Sequence, residues 1–173
     1  FWHAAVDYKL SMSCNANLAL GDIYGSGRSE LDNSKATCNV FTDNPPGYSL
    51  LWKASTAEMI STSDPGDMIG AYTPAQSDVA ENWTVGSSDS EWGAHLGSGS
   101  GTVDTAFWGI GDGYDSGKWL NVDTSDFEIA RRTSKTGSSG DDEIIWFGAE
   151  VGASKTQPAG DYSVDVTITA IAL

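Results

Sequence analysis

At 173 residues the chain is long enough to bury about 70% of its unfolded surface, so one domain spanning residues 1–173 is expected. Nine basic residues stand against 24 acidic ones, a net charge of -15. That balance argues against nucleic acid, which needs a basic face, and against anionic lipid headgroups. No apolar run approaches the ~20 residues of a membrane helix, so no membrane insertion is expected.

The chain opens at Phe1 rather than at methionine and carries no charged-then-apolar secretion signal, so it reads as a processed or truncated product. Val6, Tyr8, Leu10, Met12 and Cys14 alternate with polar neighbours, a period of two that predicts a half-buried strand. Leu18, Leu20 and Ile23 are expected to pair briefly before Gly21, Gly25 and Gly27 break the run. Ala36, Cys38 and Val40 predict a second strand, and Tyr48, Leu50, Trp52 and Ala54 a third. Asp43-Asn44-Pro45-Pro46-Gly47 between them reads as the turn of a hairpin. Residues 54–60 read as a short helix stopped by Pro65 and Gly66, and 68–72 as a weak strand.

Residues 77–101 are rich in Ser, Gly and Asp, with 92–96 a strand-like island. Residues 105–110, 118–122 and 126–132 predict short strands separated by Gly-rich turns, notably 111–117. Residues 143–151 are apolar on both faces, with Ile144 and Trp146 on one and Ile145, Phe147 and Val151 on the other. Such a strand is either central with both faces covered, or has one face covered by a partner. A turn at Pro158 and Gly160 leads into the closing strand, where Tyr162, Val164, Val166, Ile168 and Ala170 alternate with Ser163, Asp165, Thr167 and Thr169. Its apolar face is expected to share a core with the first strand. Many short strands, regular turn signals and no amphipathic helix of useful length together predict an all-β sandwich with Gly/Ser-rich loops.

Cys14 and Cys38 do not complete a zinc site, because His3 and His95 are not spaced as partner ligands. They form either a disulfide, as befits a secreted β-rich chain, or two buried thiols in a reducing compartment.

Cys14 and Cys38, the apolar strands that follow, and the closing Pro158-Ala159-Gly160-Asp161-Tyr162 with its Val/Thr strand together resemble fimbrial subunits and their relatives. These relatives include spore coat protein U-like domains and bacterial pilin-like surface proteins. The resemblance covers both ends of the chain and hardly touches residues 55–122. It implies a secreted, immunoglobulin-like antiparallel β-sandwich with one disulfide, placed outside the cell at its surface. It also implies a homopolymer of copies of the chain, in which a neighbour's N-terminal segment fills an open sheet edge. The corresponding subunit contacts here are Phe1, Trp2, His3, Val6 and Tyr8. The segment before the alternation is shorter than such a donor arm usually is.

No nucleophile-and-base spacing, metal-ligand cluster or cofactor motif stands out, so no catalytic residue, metal or cofactor is assigned and the chain is expected not to be an enzyme. Asp112-Gly113-Tyr114-Asp115-Ser116-Gly117 and Asp141-Asp142-Glu143 have the oxygen density of calcium loops, but read more simply as solvated turns. His95 reads as a half-exposed strand histidine. Asn82-Trp83-Thr84 is a candidate glycosylation sequon. Trp83, Trp92, Trp108 and Trp119 sit in or beside loops, where exposed indoles stack on sugars. A carbohydrate-binding or adhesin module with glycans or host or neighbouring cell surfaces as partners is therefore the second reading, and a secreted hydrolase the third.

Overall fold

The computed structural model describes residues 7–15, 17–31 and 34–173. Along them run β1 (Leu10–Cys14), β2 (Gly27–Arg28), β3 (Lys35–Thr42), β4 (Tyr48–Ala54), β5 (Met59–Ser61), β6 (Met68–Ala71) and β7 (Glu81–Asn82). There follow β8 (Ser90–Leu96), the helical turn α1 (Thr105–Trp108), β9 (Lys118–Trp119), β10 (Phe127–Arg132), β11 (Asp141–Val151), β12 (Tyr162–Ser163) and β13 (Val166–Ala172). The larger sheet has the order β1-β3-β11-β8-β6-β5-β12, with β2 also pairing with β11. The smaller sheet is β10-β4-β13, and β7 and β9 form a separate ribbon. The ladders are antiparallel apart from β6 against β8.

Alternation decides which side chains meet between the sheets. Ala36 and Val40 of β3, Ile145, Phe147 and Ala149 of β11, and Trp92, Ala94 and Leu96 of β8 point inward from the larger sheet. Tyr48, Leu50, Trp52 and Ala54 of β4 answer from the smaller one, with Val166, Ile168 and Ala170 of β13 partly buried beside them. The fold is an all-β sandwich, as the period-two pattern predicts.

Four local expectations are corrected. The chain from β3 to β4 is not a hairpin: β3 pairs with β1 and β11, while β4 pairs with β10 and β13. The Pro-Pro-Gly turn crosses between layers instead. Asn44 Nδ2 donates to the Gly47 and Leu173 carbonyls at 3.1 and 2.8 Å. At Gly47, with φ +89, a Cβ would lie 2.0 Å from the Arg132 carbonyl oxygen, so only glycine fits the crossing. Residues 54–60 are not helical but end in β5. Residues 105–108 are helical rather than extended, because the Asp104 carboxylate caps the Ala106 and Phe107 N–H groups. Residues 18–23 form no strand, yet Leu18, Leu20 and Ile23 still pack on the core.

The closing strand is split. Tyr162 and Ser163 pair with β5 in the larger sheet, and from Val166 onward the chain pairs with β4 in the smaller one. Tyr162, Val164, Val166, Ile168 and Ala170 all keep to the core across this corner, so the alternation survives a change of sheet.

Cys14 and Cys38 face each other in the β1–β3 register and are joined by a disulfide. The bond closes a loop with a sequence separation of 24. Replacing both cysteines by serine should lower the unfolding free energy by about 3.5 kcal/mol through the gained entropy of the unfolded chain, as read by urea denaturation. Equal midpoints for the two proteins would show that the bridge contributes nothing to stability.

Candidate functional site

Among the described residues, one flank of the sandwich is left open. At the end where β3 crosses to β4, β1 and β13 approach each other from opposite sheets. Towards the other end they diverge, and a groove of about 650 Å³ opens between them. Cys14, Leu18 and Leu20 line one wall, Val164, Val166 and Ile168 the other, and Ala36, Met59, Trp92 and Phe147 also line it. The groove is mostly apolar because the core reaches the surface there: Leu18, Leu20, Val164, Val166 and Ile168 are only partly buried, while Asn15, Asn17, Ser163 and Asp165 add polar groups to its lining.

The β13 wall is also a sheet edge. The Ser55 N–H donates to the Asp165 carbonyl at 2.8 Å and the Leu173 N–H donates to the Gly47 carbonyl at 3.2 Å. Odd-numbered residues of this strand therefore turn their backbone groups to β4, and Val166, Ile168, Ala170 and Ala172 turn theirs outward. Among the described residues no strand pairs with that side. β13 has no charge and no proline in its seven residues. The other outer strand of its sheet, β10, carries Glu128, Arg131 and Arg132. Charges on an edge discourage strand pairing, and β13 has none.

Of the expected subunit contacts, Phe1, Trp2, His3 and Val6 lie outside the described residues. Tyr8 is 55% exposed. Next to it, the Lys9 N–H donates to Asp43 Oδ1 and the Asp43 N–H to the Lys9 carbonyl, extending the β1–β3 contact by one step. Asn82, the candidate glycosylation site, is exposed on β7.

The loop tryptophans are not where a sugar platform needs them. Trp83, Trp92, Trp108 and Trp119 are all buried. Trp92 and Trp108 belong to the core between the sheets. Trp83 and Trp119 join Tyr72 and Tyr114 in a second cluster on the outer face of the larger sheet, against Trp146. Two strand glycines, paired in register, make room for it. A Cβ on Gly148 would lie 2.7 Å from the Tyr114 ring, and one on Gly93 would lie 3.0 Å from Tyr72 Cβ. The chain's own middle thus covers the second apolar face of β11. Glycine inside the strand patterns is the sequence signal for such close approach.

The titratable groups are spent on structure. Asp112 Oδ1 accepts the Ser98 N–H at 2.6 Å and Asp115 pairs with Arg28 at 2.8 Å. Asp141 pairs with Arg132, and Asp142 accepts from Asn39 Nδ2 at 2.9 Å. Among the described residues no group of three His, Cys, Asp or Glu side chains converges as a metal site. His95 is fully buried rather than half-exposed, and burial pushes its imidazole down to about 4. It is therefore neutral near pH 7. Glu143 faces the core, where its Oε1 accepts from Tyr48 and Thr102 at 2.6 and 2.8 Å. Burial raises its carboxyl above the ordinary range. No protein-family model and no curated protein matches the chain.

Proposed function

We propose that the chain is a non-enzymatic structural subunit of an extracellular, cell-surface filament, built by strand exchange between copies. The observation that carries this reading is the uncharged, outward-facing edge of β13 beside an apolar groove. A strand added there gains ladder hydrogen bonds to Val166, Ile168, Ala170 and Ala172 while its alternate side chains enter the groove. The resemblance of both chain ends to fimbrial subunits supplies the donor, the N-terminal segment with Phe1 and Trp2. Each donated residue costs about 1–2 kcal/mol in ordering, so several apolar groups must be buried for the joint to hold. Among the described residues no exposed tryptophan platform supports the glycan-binding reading, because Trp83, Trp92, Trp108 and Trp119 are interior.

Negative-stain microscopy of the purified chain tests the proposal. The full chain should form filaments, and deleting residues 1–5 should leave folded monomers that do not. Filaments of normal appearance from the shortened chain would remove the donor assignment. Full-length chain that stays monomeric at every concentration would remove the filament reading itself.

A further inference from the structure

His95 sits on the outer face of β8, opposite Trp146 in the ladder with β11. It has no exposed surface, and neither Nδ1 nor Nε2 has a hydrogen-bond partner. Its ring lies 4.6 Å from that of Trp119, at 56°. The end of the loop 109–117 closes over it: a Cβ on Gly117 would come 2.9 Å from Cε1 and 3.1 Å from Nδ1. A neutral imidazole has one donor and one acceptor, and an imidazolium has two donors. Here neither form is satisfied, and the charged form is the worse off.

We propose that the loop 109–117 is an acid-released latch, in which proton uptake by His95 lifts the loop, Tyr114 with it, and uncovers Trp119. The loop closes on itself. Gly109 and Gly117 pair with each other at its neck, and Gly109 takes φ +83. Its outer attachments are the Tyr114 hydroxyl at Ser29 and Ala149, the Arg28–Asp115 pair, and the Asp112 carboxylate at Ser98.

The charged groups around the imidazole are few. From the loop, Asp112 favours the protonated ring, against the effect of burial. From β11, Trp146 presents an indole whose Nε1 is unpartnered, with Lys35 of β3 5.0 Å over its ring. From β9 come Trp119 and Lys118, the latter bonded to the Ala106 carbonyl. Beyond Tyr114 lie Arg28, Asp115 and Glu150, bound to one another. A protonated His95 needs acceptors for two N–H groups, and with the loop closed neither nitrogen makes a hydrogen bond, although the charge and backbone of Asp112 and the backbone of Leu96 favour the protonated ring. The imidazole falls from 6.5 to about 4 in the closed form, so acidification from pH 7 to pH 4 moves the balance towards the open form by about 100-fold.

Acrylamide quenching of tryptophan emission, followed from about pH 7 to about pH 4 in the full chain, reads the opening. Far-UV circular dichroism tracks the sheets alongside. Quenching should rise on acidification while the far-UV signal holds, and the rise should be lost in His95→Phe. An unchanged quenching constant in the parent chain would overturn the latch. The same transition persisting in His95→Phe would also overturn it, and would assign the change to carboxylates. If His95→Phe does not fold, Asp112→Asn decides: it frees the loop at Ser98 and removes the charge that favours the protonated ring in the closed form, so a midpoint moved to higher pH supports the latch, and a midpoint unmoved or lowered overturns it.

Discussion

Tyr114→Ala should lower the unfolding free energy by about 3–5 kcal/mol, the range for truncating a large buried aromatic. The ring rests on the backbone of Gly148, stacks on Trp119 at 5.0 Å and 15°, and meets Trp83 at 5.1 Å. Its hydroxyl lies 2.8 Å from Ser29 Oγ and accepts the Ala149 N–H at 3.1 Å. Removing the side chain therefore opens a cavity, while the Ala149 N–H still donates to Ser29 Oγ at 3.1 Å. Tyr114→Phe keeps the ring and should cost only about 0.5–1.5 kcal/mol. The contrast separates packing from hydrogen bonding. Urea denaturation of the three proteins would measure both. A loss under about 1 kcal/mol for Tyr114→Ala would show that the loop layer is not what covers the second face of β11.

That layer marks the boundary of what the sequence makes legible. β3, β4 and β13 could be read because a half-buried strand repeats every two residues, and Ala36, Val40, Leu50, Trp52 and Ile168 all lie on the expected side. The pairing of those strands could not be read. Asn44-Pro45-Pro46-Gly47 serves equally for a hairpin and for a crossing between sheets. What selects the crossing is a distant contact, Gly47 against Arg132. The helical turn at residues 105–108 had a local signal in Asp104, which the Thr-Ala-Phe-Trp run masked as a strand. The tryptophans misled because they stand among Ser, Gly and Asp. An indole buries a large apolar area wherever the chain lets it, and glycines at positions 93 and 148 leave room for Trp83 and Tyr114 against the sheet. At the groove, the uncharged run of β13 was visible from the start. That its outer edge stays unpaired needed the register with β4.

Glu143 should make the stability of the protein fall as pH rises out of the acid range. Its side chain has no exposed surface, and Oε2 has no partner. Burial raises the carboxyl above its ordinary value, and nearby Asp141 adds to this, while the hydroxyls of Tyr48 and Thr102 pull it back. A group raised in the folded state contributes its full stability below the unfolded value of about 4.5 and loses it as pH climbs through the raised value, because the unfolded chain releases the proton first. Each unit of elevation corresponds to about 1.4 kcal/mol. His95 acts in the opposite sense. Its folded value is depressed from 6.5 to about 4, so its share is present above 6.5 and is lost as pH falls towards 4. Glu143→Gln keeps an oxygen for the Tyr48 and Thr102 hydroxyls and removes the titration. It should therefore flatten the decline above the acid range, leaving the share of Glu91, whose carboxyl burial also raises, and the His95 limb in place. Glu143→Ala instead strands both hydroxyls and, at about pH 4, should cost about 2–4 kcal/mol. Urea midpoints collected across pH for the parent and both variants give the curves. A Glu143→Gln curve parallel to that of the parent would mean that Glu143 ionises as easily in the fold as outside it.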